Sequence, residues 1–342
     1  MNMSYNPLIA LLVFLLLSLL LFLLFRPGKG WYWIVRKSSE SDEKVLIEDI
    51  LKYLYHAENE DKSVDIHLLT TSLKESDSQI IETVTKMTSY GLINLSGDQI
   101  KLTQAGSDYA LRMVRAHRLW EKFLAEKTGY QESDWHHLAE QKEHDLTHDD
   151  TEKLAASLGY PQFDPHGDPI PSATGKMADR NGKPLSDLEV DTIGRIVHIK
   201  DKPDVVYRQI LAENIHIGSQ IRVVENTPER VIFHAEGEAF KLAPVVAANI
   251  SVSILKKDHG YEEDIARLSM LGEKEKAKII GISREIRGEA RRRLLDLGFV
   301  KGADVEIDLM NPLGDPKAFL IKGTSIALRN YQASKVLIKK EQ

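Results

Sequence analysis

The chain has no cysteine. Disulfides, zinc ribbons, iron–sulfur clusters and thiol catalysis are therefore excluded, and any metal must be held by nitrogen and oxygen donors. Positive charge is not in excess: 45 Lys and Arg against 51 Asp and Glu leave a formal net charge of −6, which gives no strong general affinity for nucleic acid. Long apolar runs are scarce too. The exception is residues 7–25, where Ser18 is the only polar side chain between Leu8 and Phe25. No Lys or Arg precedes this run and no small-x-small cleavage site follows it. A transmembrane helix over residues 6–26 is thus expected rather than a cleaved signal peptide. Arg26, Lys29, Arg36 and Lys37 follow, with Trp31, Tyr32 and Trp33 as an interfacial aromatic belt. By the positive-inside rule the expected location is the inner membrane, single-pass, with the C-terminal domains in the cytoplasm.

The 342 residues leave room for two or three further domains. Residues 40–44 read as a solvated linker. Residues 45–57, 64–73 and 78–90 have helical apolar spacing, with Asp77 or Ser78 capping the third segment. Gly91 stops it, and L-I-N-L-S-G-D-Q-I-K-L-T reads as two strands about a Ser96-Gly97-Asp98 turn. Three helices and a β-wing over residues 40–103 predict a winged helix-turn-helix, a module used for DNA binding or for protein–protein contact. On its candidate recognition helix Ser78, Gln79, Thr83 and Lys86 are the candidate DNA readers. Charge opposes that use: residues 38–116 hold 8 Lys and Arg against 14 Asp and Glu, and phosphate neutralisation supplies most non-specific affinity.

Three more helices are predicted at about 104–126, 134–146 and 149–158, within a domain spanning 104–172. His117 and Glu121 are four residues apart, Glu140 is four after His136, and Glu143 and His144 are three and four after Glu140. Such steps place each set on one helix face, and imidazoles and carboxylates converging from two helices suit a divalent transition metal. Any one of these histidines alone reads as solvated; the joint spacing argues for metal. His137, His148 and His166 keep the solvated reading. Residues 164–172, D-P-H-G-D-P-I-P-S, are too proline-rich for regular structure, and residues 173–185 read as a flexible linker.

The rest is a repeat with a period of about 84 residues. R-I-V-H-I (195–199) corresponds to K-I-I-G-I (278–282), and residues 209–218 correspond to 293–302. Two small β-barrels, at 186–256 and 266–340, are expected, separated by the charged residues 256–264. Arg291, Arg292 and Arg293 read either as a patch for phosphate or an acidic partner, or as a solvated helix face.

Residues 45–172 resemble the DtxR/MntR family of metal-dependent transcriptional repressors, through H-R-L-W-E (117–121), E-Q-K-E-H (140–144) and G-D-P-I-P (167–171) behind a winged helix. The last repeat resembles the FeoA domain of ferrous-iron transport, through R-R-R-L-L-D-L-G-F-V-K-G (291–302), P-L-G-D-P (312–316) and A-L-R (327–329). Behind the expected transmembrane helix, in which the chain departs from the usual soluble repressor, the resemblance implies an α+β multidomain chain: winged helix-turn-helix, all-α metal-binding and dimerisation domain, and two SH3-like barrels. It places Asp49, His117, Glu140, Glu143 and His144 on core metal positions, and Glu121 and His136 on a separate second site, with Asp204 a candidate for the barrel's contribution to it. Glu140 stands where iron-type members have cysteine, which favours Mn2+, with Fe2+ the alternative. Lys52, where manganese-type members have a second carboxylate, opposes a two-metal cluster. The expected function is a homodimeric, metal-dependent DNA-binding regulator of metal homeostasis tethered to the membrane, and no enzyme. The alternative is a metal sensor that regulates a metal transporter through its FeoA-like domains without binding DNA.

Overall fold

The computed structural model describes the backbone of residues 7–25, 31–130, 132–179, 181–255, 265–283 and 286–341, with side chains in the first two helices described over 11–23 and from 42 onward. The chain divides into two compact units, Met1–Met113 and Val114–Gln342.

The first unit contains α1 (Pro7–Phe25), α2 (Trp31–Asn59), α3 (Ile66–Leu73), α4 (Asp77–Ser89), the strands β1 (Ile93–Ser96) and β2 (Gln99–Leu102), and the first part of α5 (Gln104–Lys127). The expected transmembrane helix is corrected here: among the described residues no helix is long and apolar enough to cross a membrane. The expected inner-membrane, single-pass location rested on that span and falls with it. The side chains of the flanking basic residues and aromatic belt lie outside the described residues. Residues 40–44, expected as a linker, are helical and continue α2.

The winged-helix elements form as their apolar spacing predicts. Ile50, Leu51, Leu54, Leu69, Ile80, Val84, Met87, Ile93 and Ile100 are buried. Asp65 caps α3, accepting from the amide of Leu68 at 2.7 Å. The cap of α4 is Ser76, one residue before the expected position. β1 and β2 pair antiparallel, Ser96 opposite Gln99, with Gly97 at φ +63 in the turn.

The second unit continues α5 and adds α6 (Glu132–Glu143), α7 (His148–Ser157) and two antiparallel six-stranded sheets. The first sheet comprises β3 (Lys183–Pro184), β4 (Ile193–Ile199), β5 (Gln220–Asn226), β6 (Val231–Ala235), β7 (Glu238–Leu242) and β8 (Ile250–Ile254), in the order β3-β8-β4-β5-β6-β7, with α8 (Asp204–Ala212) and α9 (Pro244–Ala247) between strands. The second comprises β9 (Ile265–Arg267), β10 (Lys276–Ile282), β11 (Asp304–Met310), β12 (Lys317–Ile321), β13 (Thr324–Leu328) and β14 (Val336–Lys340), in the order β13-β12-β11-β10-β14-β9, with α10 (Gly288–Asp296) and α11 (Asn330–Ala333). The two halves are copies down to their irregularities. The register breaks after Ile196 in β4 and after Ile279 in β10, and again after Val223 in β5 and Ile307 in β11. Each sheet wraps one apolar core, centred on Phe233 and Phe240 in the first and on Phe299 and Phe319 in the second.

The end of the expected flexible linker belongs to the first β-domain: Lys183 and Pro184 pair with β8, and Leu185 is fully buried. The charged separator, 256–264, lies outside the described residues. The β6–β7 turn docks the second β-domain on the first. Glu236 accepts hydrogen bonds from Ser219 at 2.8 Å and Ser283 at 2.7 Å, and Glu238 pairs with Arg267 at 2.6 Å. Only glycine suits position 237: its φ is +81, and a Cβ there would lie 2.2 Å from the carbonyl oxygen of Ile265.

Candidate metal centre

α5 and α6 are pressed together by Trp120, Leu124, Ala125, Trp135 and Leu138. α7 is held on α5 by Leu119, Ala155 and Ile170. Two buried arginines of α5 bind the irregular segment 164–172. Arg115 donates to Glu152 at 2.8 Å and to the carbonyl of Pro171 at 2.6 Å, and Arg118 donates to the carbonyl of Pro169 at 2.6 Å. This packing fixes which faces of α5 and α6 meet.

The faces that meet carry the expected histidines and carboxylates. Glu121 Oε1, His117 Nε2 and His136 Nδ1 lie 3.1 Å from one another in all three pairs. His117 and Glu121 are buried, while His136 is partly exposed. The other ring nitrogen of His117 hydrogen-bonds the buried carboxylate of Glu143. A carboxylate can only accept, so Nδ1 donates; in the neutral ring Nε2 then presents a lone pair to Glu121 and His136. An imidazole directed by a carboxylate on its far side is the usual arrangement of a metal-ligating histidine. Adjacent ligands at right angles with bonds of ~2.1 Å stand about 3.0 Å apart, so the 3.1 Å triangle suits a small divalent ion.

Burial alone would raise the Glu121 carboxyl, yet His117 and His136 against it hold it well below the usual carboxylate range. Burial alone would lower His136, but hydrogen bonds to Glu121 and Glu140 outweigh it and push the imidazole up to about 10. A proton on His136 therefore occupies the position a cation would take, and the two compete.

The other expected ligands are placed as follows. Glu140 is exposed and lies beside His136, 3.2 Å away. His144 follows the end of α6, its Nε2 3.7 Å from Glu143. Asp49 is on α2, in the first unit. The core set and the second set do not separate at His117, whose two nitrogens face Glu143 on one side and Glu121 with His136 on the other. Asp204 pairs with Arg208 on its own helix at 2.7 Å.

Sequence reasoning missed His166. It is 3 % exposed, and its Nε2 has no hydrogen-bond partner and lies 3.8 Å from Glu121 Oε1. Its Nδ1 is 3.0 Å from the Tyr207 hydroxyl, which donates to Glu132 at 3.0 Å. The phenol's one proton is thus committed, so Nδ1 donates and the neutral ring directs a lone pair at the triangle. No periodicity marks this histidine; only the burial of its loop against the first β-domain does.

Of the candidate DNA readers, Ser78 and Gln79 are exposed on α4 and Lys86 is partly exposed, but Thr83 is buried with Ile80, Val84 and Met87. Thr83 therefore cannot reach a base edge. Lys86 is held by Glu43 at 3.0 Å and Glu82 at 2.9 Å. Thr85 and Ser89, unremarked in the sequence, share the exposed face with Ser78.

Fold and site together define a helical metal-binding domain followed by two β-domains of one type. Residues 103–172 match the family described as iron dependent repressor, metal binding and dimerisation domain, and residues 183–254 and 266–340 each match the FeoA domain. A probable metal transport system membrane protein of Chlamydia trachomatis is 41% identical over 86 residues, covering 25% of this chain and 19% of that protein. The iron-dependent repressor IdeR of Mycobacterium bovis is 30% identical over 125 residues, covering 36% of this chain and 54% of that protein. The chain thus spans less than two thirds of either relative. A solved manganese-dependent transcriptional repressor in complex with manganese superposes with a TM-score of 0.54 at 31% identity, covering 61% of this chain and 99% of that one. The chain belongs to the DtxR/MntR family of metal-dependent transcriptional regulators and carries two FeoA domains.

Proposed function

We propose that the chain is a regulator whose binding of a divalent transition metal controls its binding to DNA. The observation that carries this reading is the triangle of Glu121, His117 and His136 with Glu143 behind it. Its ligands are imidazole nitrogen and carboxylate oxygen, the donors that divalent first-row ions accept. With Glu140 and no thiolate, the set leans to Mn2+, with Fe2+ the alternative. Glu143, His144 and Glu140 at the end of α6 supply further oxygen and nitrogen donors, and His166 another. Asp49 joins them in this reading by its family position. A bound ion supplies the positive charge that replaces the proton on His136. The chain's own residues would hold that ion and keep His117 in the right tautomer through Glu143.

In this mechanism metal occupancy shifts a homodimer toward the form in which two winged helices are spaced by about one DNA turn, roughly 34 Å. A coupling of about 1–3 kcal/mol between the metal and DNA sites is typical. The test is retardation of a palindromic duplex selected from a random pool, with and without Mn2+ or Fe2+, by the unaltered chain and by Glu143→Ala. Metal-dependent retardation lost in the variant is expected. No binding at low salt with either metal refutes the reading.

A second reading is favoured by one observation, the segment shared with a probable metal transport system membrane protein. Here the chain senses metal for a transporter and uses its FeoA domains to dock on it. Deleting residues 260–342 should then change metal-dependent uptake by cells; unchanged uptake refutes it.

A further inference from the structure

The second FeoA domain packs against the end of α5. α10 begins at Gly288, whose φ is +57, and a Cβ there would meet the carbonyl oxygens of Thr128 at 3.1 Å, Glu126 at 3.4 Å and Ala125 at 3.5 Å. The positive end of α10 thus abuts the last carbonyls of α5, the negative end of the helix that carries His117 and Glu121. Immediately before it, Arg287 lies over the ring of Trp135 at 5.5 Å and donates to the carbonyl of Pro165 at 3.4 Å. Trp135 immediately precedes His136, and Pro165 immediately precedes His166. The Trp135 ring also lies near His166, with centroids 6.2 Å apart and planes tilted by 53°. One guanidinium therefore touches the backbone or ring adjoining two histidines that come from different segments.

Among the described residues the first FeoA domain has no arginine at this place and reaches the site through Tyr207 on His166 instead. α8 and α10 are equivalent helices 84 positions apart, and where the second copy has Arg287 and Gly288 the first has Pro203 and Asp204. Proline offers no cation, and aspartate at the close approach would set a side chain against carbonyl oxygens.

Resting on the reading of the triangle as a metal site, we infer that Arg287 is a positioning residue for that site, and that docking of α10 on α5 makes the second FeoA domain part of the metal sensor. Through Trp135 it sets the direction of His136, and through Pro165 that of His166. Outer residues of this kind change metal affinity by roughly 10–100-fold.

The test titrates the full chain with Mn2+ and records the visible spectrum of its Co2+ form, for the unaltered protein, Arg287→Ala, Arg287→Lys, Gly288→Ala and Arg292→Ala. Arg292 is exposed on the same helix and serves as control. Arg287→Ala and Gly288→Ala should each weaken Mn2+ binding about tenfold or more and alter the Co2+ bands, which report ligand geometry rather than stability. Arg287→Lys, which keeps a cation over Trp135, should recover part of the affinity, and Arg292→Ala should match the unaltered chain. Unaltered affinity and spectrum in both Arg287→Ala and Gly288→Ala overturn the inference while leaving the metal site standing. Absence of metal binding by the unaltered chain overturns the site and the inference together.

Discussion

His216 should be the acid-sensitive group of the second unit. It is 9 % exposed, and its Nε2 has no hydrogen-bond partner. The nearest carboxylate is Glu132, 3.9 Å from Nδ1. Burial, and then the cations of Arg287, Lys335 and Arg267, push its imidazole down to about 3 from an ordinary value of 6.5. In the unfolded chain it regains the ordinary value, so between pH 6.5 and 3 the unfolded state binds the extra proton and stability falls as the pH falls. From pH 7 to pH 5 the loss from this group is about 2 kcal/mol, and the full shift is worth about 5 kcal/mol below pH 3. The assay is hydrogen exchange of β5 amides at pH 7, 6 and 5 in the unaltered chain and in His216→Gln, together with the nuclear magnetic resonance shift of the His216 ring proton. The unaltered chain should lose about 2 kcal/mol more than the variant across that range, and the ring proton should not titrate above pH 4. A ring titration near 6.5, or equal losses in both proteins, refutes the reasoning. The location gives this weight: Glu132 lies on α6 and the three cations on the second FeoA domain, so acid would loosen the contact that the metal centre leans on.

Three further outcomes are expected. Arg115→Ala removes bonds to Glu152 and Pro171 from a buried guanidinium and should cost about 3 kcal/mol in denaturant unfolding; a loss below about 1 kcal/mol would show that segment 164–172 is held by other means. Gly167→Ala sets a Cβ 2.0 Å from the carbonyl oxygen of Val197 at φ +85 and should destabilise by about 3 kcal/mol or more, read as a fall in thermal midpoint, with near-unaltered stability contradicting the packing. Glu82→Gln removes a negative charge and one of the two carboxylates holding Lys86; it should raise DNA affinity roughly three- to tenfold at low salt and steepen the salt dependence, measured by fluorescence anisotropy, and an unchanged affinity would remove α4 from the DNA-contacting surface.

Helices and strands were legible where one periodicity dominates. The apolar spacing of Ile50, Leu51 and Leu54 and of Ile80, Val84 and Met87 marks faces that are in fact buried. The β repeat was legible because a copied sequence carries its strand bulges and glycine turns with it. Residues 40–44 were misread because Ser, Glu, Asp and Lys serve a solvated helix as well as a linker. Thr83 was misread because a small polar side chain suits either face of a helix. The apolar run at the start read as a span on composition alone, and among the described residues no helix is long and apolar enough for one.

The sequence by itself determined the donor chemistry. With no cysteine, and with His117, Glu121, His136, Glu140, Glu143 and His144 at helical steps, a metal must meet nitrogen and oxygen from two helices. Spacing along one helix is local, so it can be read without a fold. Tertiary structure alone decided which atoms meet. It turned His117 so that one nitrogen meets Glu143 and the other meets Glu121 and His136. It brought His166 from an irregular loop to Glu121, and it set Arg287, 152 positions after Trp135, over that ring. Such meetings depend on how helices and β-domains pack, and no periodicity in the chain encodes them.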